Sequence, residues 1–265
     1  MKISKIVVLC AALCVLFGAC AKKNTGEFTI NKDKFIVGME ITYPPLEFYS
    51  EDGKTPQGFD VDMAKALARE LGLNVEFVDA EFGGLFGGIN AGKFDALISG
   101  VTITPERSEQ FLFTKPYIGN AMTIVVLNDA PFQITKPEDI AGYRVSYQEN
   151  TTAEIYASNI RKQGYEYQEF KYPSVMNCFE DLKFNRVDII IVDSLVALEY
   201  LERDPGLYKI VYQGEADEYF GICLKKGNDV LAEKLNTAID KIKASGELTD
   251  ISLKYFNMDL VSVIK

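Results

Sequence analysis

One short design occurs twice in this chain. Gly92-Lys93-Phe94-Asp95-Ala96-Leu97-Ile98-Ser99-Gly100 is the first copy and Asn185-Arg186-Val187-Asp188-Ile189-Ile190-Ile191-Val192-Asp193 is the second. Each passes from a basic residue through an apolar one to an Asp, then into an apolar stretch that closes on small or polar groups. Apolar runs bounded in this way read as buried strands. One copy is a common strand-to-helix junction. Two copies about ninety residues apart predict two similar α/β lobes.

The rest of the chain keeps that rhythm. Strands are expected at Phe35 to Val37, Leu73 to Phe77, Thr123 to Leu127, Arg144 to Tyr147 and Phe220 to Leu224, and an extended stretch at Tyr165 to Tyr172. Helices are expected at Val61 to Leu71, stopped by Gly72, and at Thr152 to Gln163, Met176 to Phe184, Ser194 to Glu202 and Asp229 to Ala244. In open α/β sheets ligands sit beyond the carboxyl ends of the strands. Ser99 and Gly100 of one lobe and Asp193 of the other then face a shared cleft.

Composition removes several function classes. The 265 residues include no His, which excludes Ser-His-Asp and Cys-His triads and His-ligated metal sites. The formal net charge of −10 argues against a nucleic-acid partner, which calls for a basic face. No cofactor or metal is expected.

The first residues read as a targeting segment. Lys2 and Lys5 precede an apolar run from Ile6 to Phe17, too short for an ordinary membrane span. Gly18, Ala19 and Cys20 follow. The order resembles a bacterial lipoprotein signal peptide over residues 1–19, with Cys20 as the lipidated residue. Phe17 departs from the usual small or aliphatic residue of such a signal; an ordinary secretory signal with a chance Cys is the alternative. Residues 20–34 are polar and read as a tether.

Three local motifs carry candidate chemistry. Thr104 suits a helix N-cap, Pro105 the first helical position and Glu106 the first turn. Arg107 then lies in that first turn, where a guanidinium can grip a carboxylate with two parallel hydrogen bonds or serve a structural ion pair. Thr151-Thr152-Ala153-Glu154 fits a capping box, whose free N–H groups favour an anion or simply start a helix. Asp193 ends a very apolar strand. Its carboxylate needs a partner there: a ligand ammonium, or the start of the following helix.

Tyr43-Pro44-Pro45-Leu46-Glu47-Phe48, Gly58-Phe59-Asp60-Val61-Asp62, Ser99 to Arg107, Phe113 to Tyr117, Val187 to Asp193 and Tyr219 to Ile222 together resemble the bacterial extracellular solute-binding proteins of polar amino-acid ABC transporters. The likeness runs from Phe35 to Phe256. It implies a type II periplasmic-binding-protein fold: lobe 1 from 35–119 and 214–265, lobe 2 from 120–213, and two hinge strands. It also implies an L-amino acid as ligand, an ABC permease as partner and a monomer; the signal segment adds a lipid anchor at Cys20 holding the protein in the cell envelope outside the cytoplasm.

The resemblance also assigns residues. Arg107 and the N–H groups of Thr102 and Thr152 would hold the ligand carboxylate. Asp193, the Gly100 carbonyl and the Thr102 hydroxyl would hold the ammonium, with Tyr43 and Phe82 sandwiching the side chain. Ser99 and Gln148 join the ligand-binding set. Glu40 falls where relatives that bind basic amino acids carry an acid, and Gln148 and Glu149 lie at the cleft edge, which tilts the reading toward arginine or lysine. Cys178 and Cys223 fall in different lobes and are expected free and buried, since a disulfide between them would block the hinge.

Two other classes compete. An enzyme on the same fold, such as a cyclohexadienyl dehydratase, could use Glu40 as general acid. A sensor domain would be expected to continue beyond Lys265 into a membrane span or kinase-like segment.

Overall fold

A computed structural model describes residues 28–262 and residue 264. The signal segment 1–19, Cys20 and most of the tether lie outside the described residues.

The chain builds lobe 1 first. Its elements are β1 (Lys34–Met39), β2 (Thr42–Tyr43), β3 (Glu47–Tyr49), β4 (Pro56–Gln57), α1 (Phe59–Leu71), β5 (Asn74–Asp79), α2 (Phe82–Asn90), β6 (Ala96–Leu97), α3 (Pro105–Gln110) and β7 (Phe111–Phe113). It leaves through β8 (Ile118–Asn120) and builds lobe 2 from β9 (Met122–Leu127), β10 (Arg144–Gln148), α4 (Thr152–Lys162), β11 (Gln168–Tyr172), α5 (Val175–Lys183), β12 (Ile189–Asp193), α6 (Ser194–Arg203) and β13 (Tyr208–Gln213). It returns through β14 (Glu218–Phe220) and completes lobe 1 with β15 (Cys223–Lys225), α7 (Asp229–Ala244) and α8 (Glu247–Phe256).

Each lobe carries one five-stranded mixed sheet, ordered β5-β1-β6-β15-β7 in lobe 1 and β11-β10-β12-β9-β13 in lobe 2. In both, three parallel strands come first and the fourth runs antiparallel to them. The twofold design seen in the sequence becomes β6 and β12, the central strands of the two sheets. β8 and β14 pair antiparallel between the lobes and form the crossing. This is the two-lobed α/β architecture expected.

Sheet strands buried on both faces explain the continuous apolar runs. Ile189 to Val192 of β12 and all of β9 are buried. α1 buries Met63, Ala64, Leu67 and Ala68 in the lobe 1 core and ends at Gly72, which takes the left-handed conformation (φ 72°) and donates to the last carbonyls.

Some expectations shift. Phe220 to Leu224 is two strands, because Phe220 closes the hinge ribbon while Cys223 opens β15 in the lobe 1 sheet. The tether ends earlier than 34: the Ile30 N–H donates to Asp95 Oδ1 at 2.6 Å and Lys34 is already in β1. α2 and α8 are additions to the elements expected.

Cys178 on α5 and Cys223 on β15 are both free, with no exposed surface. Burial pushes the Cys223 thiol up to about 12 and the Cys178 thiol beyond it. Neither is a thiolate at neutral pH, so both should resist alkylation in the folded protein. Non-reduced protein in denaturant should expose two reactive thiols besides any at Cys20. Thiol counting that finds neither would require a disulfide and exclude this packing.

Candidate functional site

A narrow cleft lies between the lobes, beyond the carboxyl ends of β1, β6, β10 and β12. Glu40, Tyr43, Glu47, Phe82, Ser99, Gly100, Thr102 and Arg107 line it from lobe 1, and Gln148, Thr151, Thr152 and Asp193 from lobe 2. The ligand-binding set named from the sequence meets in this one cleft.

The lobes are closed over it. The Tyr43 hydroxyl donates to Asp193 Oδ2 at 2.6 Å and Gln148 Nε2 to Glu40 Oε2 at 2.6 Å. The Thr42 and Ser174 hydroxyls lie 3.2 Å apart and those of Thr102 and Thr152 3.5 Å apart. Arg107 Nη2 donates to the Asn150 carbonyl at 3.2 Å.

Arg107 sits where its local sequence places it. Thr104 Oγ1 accepts from the Arg107 N–H at 3.1 Å as the N-cap of α3, with Pro105 in the first turn. The guanidinium is partly buried. Nη1 donates to the Thr102 carbonyl at 2.9 Å, and the Phe82 and Phe86 rings lie 5.5 and 5.1 Å from its central carbon. No carboxylate pairs with it among the described residues. Burial, partly offset by distant anions, holds its pKa below the usual arginine value. A desolvated guanidinium with N–H groups left over is a receptor for an anion, and a carboxylate matches its fork.

Asp193 is buried at the other pole. It occupies the position before α6, but its side chain makes no cap bond to that helix. The capping alternative therefore fails: the carboxylate turns instead to the Tyr43 hydroxyl and to Asn120 Nδ2, 2.7 Å from Oδ1. Burial pushes Asp193 up to about 6, against the pull of Tyr43, Asn120 and Arg107. Asn120 on β8 also donates to Glu218 Oε2 on β14 at 2.9 Å, linking Asp193 to the hinge. Sequence reading missed Asn120 and Glu218; two polar residues on short strands carry no local signal of meeting at one carboxylate.

The capping box at Thr151 is rearranged. The Thr151 hydroxyl donates to the Gln148 carbonyl at 2.7 Å, and Glu154 accepts from the Asn150 N–H at 2.6 Å. α4 still begins at Thr152, whose N–H belongs to the first turn and has no intrahelical acceptor.

Tyr43 lines the cleft, and its hydroxyl holds Asp193. The Ser99 hydroxyl accepts from the Glu40 N–H at 3.0 Å and donates to Glu47 at 2.7 Å, so its only O–H points away from a ligand. Gln148 uses its amide on Glu40 and on the Pro173 carbonyl at 2.9 Å. Glu149 does not line the cleft, since β10 ends at Gln148. Glu40 is buried; burial pushes it up to about 7 despite bonds from Gln148 and Thr42. The cleft thus sets a permanent cation opposite a carboxylate between aromatic walls, with a second acid beside them.

Among the described residues no group of three or more His, Cys, Asp or Glu side chains could hold a metal, and no helix is long and apolar enough to cross a membrane.

Comparison with known proteins places this geometry. The profile of the bacterial extracellular solute-binding proteins, family 3, matches residues 35–258. The ABC transporter arginine-binding protein 1 of Escherichia coli (strain K12) is 35% identical over 228 residues, covering 84% of this chain and 91% of that protein. The structure of an ancestral arginine-binding protein bound to arginine superposes with a TM-score of 0.81 at 36% identity, covering 84% of this chain and 98% of the other. An ancestral arginine-binding protein bound to glutamine gives 0.80 at 36%, covering 86% and 100%.

Proposed function

The chain belongs to the bacterial extracellular solute-binding proteins, family 3, and from that premise we propose that it binds a free L-amino acid between its lobes and delivers it to the permease of an ABC importer. The observation that carries this reading is the pairing of Arg107, a desolvated guanidinium without a carboxylate partner among the described residues, with buried Asp193 across the closed cleft. A zwitterion taken out of water needs both of its charges paired and hydrogen-bonded. Arg107 and the Thr102 and Thr152 N–H groups take the carboxylate. Asp193, the Gly100 carbonyl and the Thr102 hydroxyl take the ammonium. Residues 30–119 with 214–265 move as one lobe and 120–213 as the other, about β8 and β14. Neither lobe holds the full set, so the ligand selects the closed form that a permease can recognise. Cys20 carries the lipid anchor outside the cytoplasm, and the protein works as a monomer.

Glu40 tilts the ligand toward arginine or lysine. The relatives named for arginine agree with that tilt, while the glutamine complex marks the neutral alternative. Proton linkage separates the two. Glu40 holds its proton up to about pH 7 in the ligand-free cleft. A cationic side chain beside it favours the carboxylate, so binding expels that proton. Affinity for L-arginine should therefore rise up to about tenfold from pH 6 to above 7. L-Glutamine expels no proton from Glu40 and should show a flatter profile. Calorimetry with an amino-acid panel across this range measures both, and parallel profiles exclude a cationic side chain at Glu40. Mass spectrometry of ligand released by denaturation identifies the native one. Turnover of prephenate or arogenate, with Glu40 as the acid, would replace the receptor by an enzyme.

A further inference from the structure

Two of the sequence blocks meet at the cleft's base: Tyr43 to Phe48, which gives Tyr43 and Glu47 to its lining, and Gly58 to Asp62, which packs behind them. A Cβ at Gly58 would lie 2.2 Å from the Leu46 carbonyl oxygen, and its φ of 130° is a conformation other residues avoid. Only glycine lets the start of α1 dock here. The Phe59 N–H donates to the Pro45 carbonyl at 3.0 Å and the Asp60 N–H to that of Leu46 at 2.9 Å. This docking sets the Glu47 and Asp60 carboxyl groups within hydrogen-bonding range of each other, both with no exposed surface.

One oxygen of each is satisfied. Glu47 Oε1 accepts from the Ser99 hydroxyl at 2.7 Å. Asp60 Oδ2 accepts from the Gly100 N–H at 2.8 Å and the Tyr117 hydroxyl at 3.0 Å. The other oxygens, Glu47 Oε2 and Asp60 Oδ1, are buried with no hydrogen-bond partner among the described residues. The titratable groups that face the pair are Glu40 at the end of β1, Tyr43 on β2 and Tyr117 before β8, none of them a cation. Two buried carboxylates in contact, with no positive charge facing them, cannot both ionise. A single proton between the two orphaned oxygens satisfies both.

We propose that Glu47 keeps this proton and donates it from Oε2 to Oδ1 of an ionised Asp60, and that the pair positions Ser99 and Gly100 at the ligand. The asymmetry of donors assigns the charge: Asp60 receives two on its outer oxygen and lies in the first turn of α1, where an anion is favoured, while Glu47 receives one. Burial raises both acids, Glu47 further than Asp60. The positioning role rests on the amino-acid reading of the cleft; the proton does not.

Infrared spectroscopy of the ligand-free full chain at about pH 9 tests the proton directly. Glu40, Asp193 and Glu218, raised only to about 7, 6 and 7, are then ionised. The expected result is a protonated-carboxyl carbonyl band that Glu47→Gln removes and Glu40→Gln leaves. Absence of the band from the unmodified protein overturns the proposal whether or not any variant folds. Its survival in folded Glu47→Gln does so too. Positioning is read from L-arginine titrations. The amide of the Glu47→Gln variant can still donate to Asp60, so that variant should bind at least about tenfold more tightly than Glu47→Ala. Equal affinities would overturn positioning. If the unmodified protein shows the band and binds no amino acid, the receptor reading fails and the shared proton stands.

Discussion

Arg107→Ala is expected to abolish most amino-acid binding while leaving the fold intact. The guanidinium makes two hydrogen bonds to backbone carbonyls and packs against Phe82 and Phe86, so the ligand-free protein already bears a desolvated charge. Truncation leaves the ligand carboxylate buried without a charged partner, which costs about 3–5 kcal/mol, or two to almost four orders of magnitude in Kd. Arg107→Lys keeps a charge but loses the fork, for about 1.5–3 kcal/mol. Calorimetry checks both. Thermal unfolding supplies the control: a hundredfold excess of ligand over Kd stabilises a receptor by about 2.7 kcal/mol, and that upward Tm shift should vanish in Arg107→Ala. Unchanged affinity together with a lowered Tm would make Arg107 a structural residue only.

The legibility of this site from sequence followed how local its determinants are. Thr104, Pro105 and Arg107 were readable because capping chemistry acts within four residues, and the structure keeps the Thr104 cap. The twin strands were readable because β6 and β12 are buried on both faces. α2 was not: four of its nine residues are glycine, a composition that reads as turn. Its helix is held by tertiary packing of Phe82, Leu85 and Ile89 into the lobe 1 core. Gly83 also brings its backbone so close to Asn150 of lobe 2 that a Cβ would lie 2.7 Å from Nδ2. At Thr151 the local rule pointed to a capping box, but the Gln148 carbonyl competes for the hydroxyl. The partners of Asp193 lie 150 and 73 positions away, and no local pattern encodes contacts of that range.

Asp193→Asn should weaken amino-acid binding nearly as much as Arg107→Ala, and it should change how binding responds to pH. The loss of charge leaves the ligand ammonium buried opposite a neutral amide, again about 3–5 kcal/mol. The pH response follows from the sign of the shift. In the ligand-free protein burial raises Asp193 to about 6, so the folded state binds its proton more tightly than the unfolded chain does. That contribution to stability is present below the unfolded value and is lost as pH rises through about 6. Ligand reverses the preference. An ammonium beside the carboxylate lowers its pKa, so binding releases a proton, and affinity climbs as pH rises toward about 6 and then levels. L-Glutamine isolates this response from that of Glu40. In Asp193→Asn the climb should disappear, since an amide does not titrate. The stability change of the ligand-free variant should stay near about 1 kcal/mol, the scale of its bonds to Tyr43 and Asn120. A variant that loses stability but keeps both affinity and the climb below pH 6 would remove Asp193 from the ammonium site.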